Sequence, residues 1–412
     1  MCLMTLLFLT QNVQAQPQEF VYDADVSDAF VVERLSRIDS AFSRAIDLGK
    51  LPHCVVFVAH RGRVVHHKAY GWRNMQDSVR CEKDDIFRIA SQTKAICVVA
   101  FMTLVEEGKV TLDEPLKNYI PEFADPKVLV AYDKKTGKYT TRKAKRDITI
   151  RDIITHTSGI SYDGAYSDIC KQKNVCQHLT LDSLTLAENV ARMASVPLVH
   201  DPGAAFSYGS GIEVLGRVCE VISGQEISTF ISQRVLEPLG MSDTYFYLPD
   251  DKVDRLVNLY SYTKTEGLGL SSKTVLQMFP YAGAKTYFST GSGMCSTIED
   301  YAKFCQMVLN GGEFNNHRIL GRKTLEMMQK NGVGTMRGEI GFGMAWDVFT
   351  PENAHNTIIS EQSMRWGGMF GTDYVIDPKE ELILLIYTNC MPNMSGFNYK
   401  TVLHNTVYQA LR

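Results

Sequence analysis

Ser91-Gln92-Thr93-Lys94 sets a hydroxyl and an amine three residues apart, and on a helix such positions share one face. A serine hydroxyl is a weak nucleophile until a neighbouring group takes its proton, so the spacing suits a nucleophile and its activator. Val98, Phe101, Met102 and Val105 continue the face that Ser91 and Lys94 begin, and Gly108 closes it. The pair is therefore expected to face inward at a helix start, where the helix dipole favours developing negative charge. Burial there is expected to lower the lysine's proton affinity and make it a better acceptor. The same pattern recurs at Ser261-Tyr262-Thr263-Lys264, but between the polar stretch Asp250 to Asn258 and the glycines Gly267 and Gly269. That context predicts a loop with no apolar face to pin the lysine. No Gly-x-Ser-x-Gly occurs, which argues against the nucleophile elbow of α/β-hydrolases.

Such a pair needs rigid elements around it. Val31, Leu35, Ile38, Phe42 and Ile46 step by four and three residues, the stripe of an amphipathic helix ending near Gly49. Cys54 to Val58 and Val64 to Tyr70 are β-rich runs separated by His60-Arg61-Gly62-Arg63, which reads as a hairpin. Near the far end Tyr374 to Ile376, the turn Asp377-Pro378-Lys379-Glu380 and Leu382 to Tyr387 repeat the strand pattern, followed by a helix from about Tyr399 to Leu411. Helical periodicity dominates between them, including Ile212, Leu215, Val218 and Ile222 before a C-capping Gly224. The expected fold is α+β: a sheet domain from 16–90 and 271–412, with 91–270 as an inserted helical lobe. Asp133 to Lys145, rich in Lys and Thr around Gly137, reads as an exposed excursion whose basic character reflects solvation.

A length of 412 residues with 45% hydrophobic and 22% charged residues fits a folded protein of two lobes. The net charge of −3 and the absence of a concentrated basic stretch exclude a nucleic-acid surface. Met1 to Thr10 is apolar and Val13-Gln14-Ala15 offers a small-residue cleavage site, so 1–15 is expected to be a signal peptide for export to the periplasm, although no Lys or Arg precedes Arg34. No other run approaches the length of a membrane span. Loss of Cys2 with that leader would leave an odd number of cysteines, hence at least one free thiol; Cys170 and Cys176, bracketing a polar stretch, are the best candidate bridge, while Cys97 and Cys219 lie on apolar helix faces. Neither C-x-x-C nor H-E-x-x-H occurs, so no metal and no cofactor is expected. His66-His67 reads as strand surface.

Several ordered stretches resemble the serine β-lactamase-like and penicillin-binding hydrolases, in particular the class C β-lactamase, D-aminopeptidase and family VIII carboxylesterase branch. They are Phe87 to Lys94, Ile153 to Gly159, Pro202-Gly203 with Phe206-Ser207-Tyr208, Leu215-Gly216, Ser296 to Tyr301, and Trp366-Gly367-Gly368. The resemblance implies an antiparallel sheet flanked by helices, with an all-helical lobe. It carries a general-base tyrosine onto Tyr208, beside which a Lys94 ammonium would favour phenolate over a phenol of ordinary pKa about 10. The family's asparagine two residues on is replaced by Ser210, which can still donate a hydrogen bond to substrate but lacks the amide. Where β-lactamases place Lys-Thr-Gly to attract a carboxylate, this chain has Trp366-Gly367-Gly368, a substrate-binding strand of esterase type whose ring walls a pocket and whose glycines let backbone approach substrate.

By the same analogy the amides of Ser91 and Met369 form an oxyanion hole, each donor worth about 2.7–4 kcal/mol in the transition state. Arg365 could replace the lost cation, but strand alternation turns it to the opposite face. His156, in Thr155-His156-Thr157-Ser158-Gly159, is expected to make a structural hydrogen bond in a turn, since Lys94 and Tyr208 fill the base role. The implied function is hydrolysis of a small-molecule ester or amide through a Ser91 acyl-enzyme. The alternatives are acyl transfer to an alcohol or amine, a D-amino-acid peptidase or β-lactamase, and a non-catalytic cell-wall-binding module.

Overall fold

The computed structural model describes residues 16–412 apart from 355; the expected signal peptide, 1–15, lies outside the described residues. Helix α1 (Val32–Asp47) buries Leu35, Ile38, Phe42 and Ala45 along the predicted stripe. Strands β1 (His53–His60) and β2 (Arg63–Asn74) form the N-terminal hairpin. Its turn residues Arg61 and Gly62 both have positive φ, 51° and 73°, the conformation whose twist matches paired antiparallel strands. Then come β3 (Val79–Arg80), α2 (Thr93–Glu106), α3 (Gly211–Ser223) and α4 (Ile298–Leu309). The C-terminal part supplies β4 (Ile340–Phe342), β5 (Asp347–Phe349), β6 (Met364–Gly367), β7 (Asp373–Asp377), β8 (Leu382–Tyr387) and α5 (Tyr399–Tyr408).

These strands make one eight-stranded antiparallel sheet in the order β4-β5-β6-β7-β8-β1-β2-β3. The two ends of the chain meet where β1 pairs with β8, from Val55↔Tyr387 to His60↔Leu382. Every residue of β1 and β8 is buried, because both faces of the sheet are covered. Val56, Val58, Leu384 and Ile386 share a core with Leu35, Ile38 and Phe42 of α1 and Leu403 and Val407 of α5. Val55, Phe57, Leu385 and Tyr387 face the larger core with Phe101 of α2 and Phe304 of α4. This second layer carries the Ser91 turn.

Four sequence expectations change. Helix α2 has no stripe: every residue from Thr93 to Leu104 is buried, so it is a central helix packed on all sides. His66 and His67 are not surface groups; His66 lies 2.9 Å from the Tyr70 hydroxyl, His67 packs edge-on against Phe57, and burial pushes both imidazoles down to about 4. Ser261 lies in a strand, Tyr260–Thr263, opposite Gly269, rather than in a loop. Its Lys264 is exposed in the adjoining turn. Cys170 and Cys176 are free thiols, like the other described cysteines. The interval 91–270 also contains the hairpin Lys127–Tyr132 with Tyr139–Lys143, whose turn and second strand fall within the basic excursion Asp133 to Lys145. No helix among the described residues is long and apolar enough to cross a membrane.

Candidate active site

Ser91 occupies a tight 3-10 turn, Ala90–Gln92, that feeds α2. Ala90 has φ +45°, a left-handed backbone that costs a non-glycine residue about 1–3 kcal/mol and persists only when its surroundings hold it. They do so here. The Tyr387 hydroxyl donates to Gln92 Oε1 at 2.6 Å and the Tyr301 hydroxyl to the Gln92 carbonyl at 3.1 Å. The Met294 amide donates to Thr93 Oγ1 at 3.1 Å. Strand β8, helix α4 and the loop at Met294 thus fix the turn while Ser91 stays half-buried at the edge of a cleft.

Lys94, one turn on, is buried. Its Nζ donates to Ser91 Oγ at 3.3 Å, Tyr162 Oη at 3.4 Å and the Gly291 carbonyl at 2.7 Å. It also lies 4.9 Å from the centre of the Tyr208 ring and 5.4 Å from that of Tyr162. Burial by itself lowers a lysine's proton affinity, but the phenols of Tyr162 and Tyr208 and the carboxylate of Glu213 outweigh it, so the Lys94 pKa is raised. This reverses the sequence expectation of a lowered value. The expectation counted desolvation and missed the groups folded around the amine. Lys94 is a fixed ammonium, suited to stabilising negative charge and unsuited to accepting a proton.

Sequence spacing gives no sign of the second tyrosine, Tyr162, which lies three residues beyond the Thr155-to-Gly159 stretch, in no recognisable spacing to Ser91. Its ring sits 5.5 Å from Tyr208 and stacks at 4.9 Å on His178, and burial pushes its hydroxyl pKa up despite Lys94. Tyr208 is wedged between His156 at 4.7 Å and Trp366 at 5.3 Å. Its hydroxyl is buried with no hydrogen-bond partner among the described residues, as is that of Ser210. His156 packs its ring against Tyr208, Phe206 and Phe342 instead of hydrogen-bonding through it. Buried and near the Lys94 and Arg337 cations, His156 has its pKa pushed well below the usual histidine range and stays neutral.

Strand β6 closes the cleft. It pairs with β7 through Trp366↔Tyr374 and Gly367↔Asp373, but with β5 only as far as Arg365↔Asp347. The outer edge of Trp366-Gly367 is therefore open beside Ser91. The cleft, about 390 Å³, is lined by Ser91, Tyr208, Trp366, Gly367, Gly368 and Met369 among others. Among the described residues neither the Ser91 nor the Met369 amide donates a hydrogen bond, leaving both N–H groups available to a ligand oxygen.

Arg365 also lines the cleft, contrary to the alternation argument, because the open strand edge admits both faces. It and Lys400 are each 3.1 Å from the buried Asp373 carboxylate. Arg365 and Asp347 also line an adjoining cavity of about 590 Å³ under α5. Among the described residues no group of three or more His, Cys, Asp or Glu could hold a metal ion.

A central sheet with a serine turn, a buried ammonium and a free-edged strand around one cleft is the architecture of a serine hydrolase or acyltransferase. The Beta-lactamase family model matches residues 38–407, and the chain belongs to that family. It is 33% identical to the lovastatin esterase of Penicillium rubens over 84% of this chain and 90% of the relative. It is 27% identical to esterase EstB of Burkholderia gladioli over 88% and 92%. Among solved structures, EstCE1, described as a hydrolase with promiscuous acyltransferase activity, superimposes with a TM-score of 0.77 at 26% identity, covering 92% of this chain and 99% of that one.

Proposed function

We propose that this protein is an exported, ester-directed serine hydrolase in which Ser91 is the nucleophile, Lys94 the electrostatic anchor and Tyr208 the general base. The observation that carries this reading is the Lys94 ammonium held against Ser91 Oγ and the Tyr208 ring. Ser91 Oγ adds to the ester carbonyl carbon while its proton passes to Tyr208 Oη. The carbonyl oxygen becomes an oxyanion facing the Ser91 and Met369 amides. The bond to the alkoxide then breaks, and the alkoxide leaves with the proton from Tyr208. Water, deprotonated by Tyr208, adds to the acyl carbon and releases the acid and Ser91. Throughout, the positive charge of Lys94 lies beside the oxygens that gain negative charge.

Three features favour esters. Trp366 occupies the position of the β-lactamase lysine, Ser210 replaces the amide, and the nearby cations Arg365 and Lys400 are engaged by Asp373. The esterases among the relatives agree with this substrate class. The adjoining cavity beside the cleft supports a second reading, transfer of the same acyl group to an alcohol. The apolar run before Ala15 supports export and a periplasmic setting. Turnover of short-chain aryl esters by wild type and Ser91→Ala tests the assignment. A loss of at least about 10³-fold is expected, with an acyl or fluorophosphonate adduct mapping to Ser91. An unchanged rate in the variant, or an adduct on Ser261, overturns it.

A further inference from the structure

Glu213 lies in the first turn of α3, five residues after Tyr208, and is completely buried. A buried carboxylate persists only when its oxygens are satisfied by donors or by opposite charge. All of its partners are donors, and they come from one short turn. The Ser289 hydroxyl donates to Oε1 at 2.5 Å, the Thr290 amide to Oε2 at 2.9 Å and the Gly291 amide to Oε1 at 3.2 Å, while the Thr290 hydroxyl, 3.2 Å from Oε2, spends its one proton on the Ile212 carbonyl at 2.7 Å. The Ser289 oxygen itself accepts from the Ser292 amide at 3.1 Å, which leaves its proton for Glu213. Three donors on two oxygens match an ionised carboxylate, and burial acts against them by raising its pKa.

The other side of that turn reaches the nucleophile. Gly291 donates its N–H to Glu213 and accepts at its carbonyl from Lys94 Nζ, at 2.7 Å the shortest of the three Lys94 hydrogen bonds. Gly291 has no space for a side chain, since a Cβ there would lie 2.8 Å from Glu213 Oε1 and 3.4 Å from Tyr162 Oη. One residue thus links the buried anion to the buried cation through the two peptide units that flank its Cα.

We propose that Glu213 is a positioning residue for Ser91 chemistry: its carboxylate clamps the Ser289–Gly291 turn so that the Gly291 carbonyl holds Lys94, and it supplies the ammonium's countercharge. The proposal rests on the serine-hydrolase reading above. The other titratable groups around the pair are Tyr162, Tyr208, His156 and His178 near Lys94, and Tyr287 and Cys176 near Glu213. The histidines are pushed down and Tyr162, Tyr287 and Cys176 up, so none of these five supplies a countercharge to Lys94, and the donors gathered on Glu213 mark its carboxylate for that part. Glu213→Gln keeps the shape but removes the charge and turns an NH₂ group toward one of the turn's donors.

The test reads the rate at which a fluorophosphonate phosphonylates Ser91, forming the P–O bond and releasing fluoride, across the pH range. Glu213→Gln should slow labelling about 10–100-fold. It should also bring the alkaline fall-off down by about one pH unit or more, because Lys94 loses its countercharge and deprotonates earlier. Glu213→Asp, which restores the charge, should move the fall-off back toward wild type. A Glu213→Gln profile with an unmoved alkaline limb overturns the proposal, even if the rate is lower, because misplacement alone changes amplitude. If Glu213→Gln does not fold, ¹³C NMR of glutamate-labelled wild type decides, with the resonance assigned by its loss in Glu213→Asp: an ionised Glu213 at pH 7 supports the clamp and a protonated one overturns it. No labelling of wild-type Ser91 at all would instead refute the hydrolase reading, a distinct result.

Discussion

Gly368 stands so close to Ile89 that a Cβ on it would lie 2.3 Å from the Ile89 carbonyl oxygen. The contact joins the end of strand β6 to the residue two before Ser91, and Thr372 Oγ1 reaches the same carbonyl at 3.5 Å. Because Gly368 also donates to the Thr372 carbonyl at 2.9 Å, the turn that presents the Met369 amide is locked to the turn that presents Ser91. The spacing of the two proposed oxyanion donors therefore depends on a missing methyl group.

Gly368→Ala should consequently damage chemistry more than binding. The new Cβ meets backbone on one side and Thr372 Oγ1 at 2.5 Å on the other, so strand and turn must part. A displaced oxyanion donor costs roughly 10²–10³ in kcat. Steady-state kinetics with an aryl ester should show that fall in kcat with KM changed far less. A variant with wild-type kcat would show that the Met369 amide plays no part.

Tyr208→Phe removes the proposed base while leaving the ring between His156 and Trp366. Its hydroxyl is buried and unpartnered, so its loss breaks no hydrogen bond of the free protein, and thermal stability should be unchanged or slightly higher. General-base catalysis contributes about 10²–10⁴, and a kcat/KM loss of that size is expected. Retained activity would move the base role to Tyr162, the other phenol within reach of Lys94.

What the sequence made legible follows physical range. The Ser91–Lys94 pair was readable because a helix fixes i,i+3 geometry locally, and the β1–β2 hairpin because strand runs flank a turn that Gly62 can adopt. The nature of Lys94 was not readable. Its protonation is decided by Tyr162, Tyr208, Glu213 and Gly291, which come from separate segments and share no periodicity with it. The same holds for Arg365: alternation within a strand was correctly counted, but whether β5 continued alongside was a tertiary fact. The side chains of His66 and His67 are buried on a strand that is itself only partly covered, because Tyr22 and Phe57 pack on His67 and Tyr70 stacks on His66, and period-two alternation announces none of these neighbours.

The Asp373 network gives a prediction about pH. This carboxylate is fully buried, which alone would raise its pKa; Arg365, His404 and Lys400 overcome that and hold it well below the usual carboxylate range. In the unfolded chain an aspartate titrates near about 3.9. A group with a depressed folded pKa stabilises the fold above its unfolded value, and that contribution disappears as pH falls through the folded one. At pH 7 Asp373→Asn should therefore lose about 1–3 kcal/mol, less than a fully buried pair would, because Arg365 and Lys400 remain about one-third exposed (32% and 29%). Below about pH 4 the unfolded chain takes up a proton on this aspartate while the folded protein does not, so the gap between the two proteins in urea unfolding should narrow with each step of acidification. A gap that stays constant from pH 7 to pH 3 would mean that shape, and not charge, is what Asp373 contributes between β6 and α5.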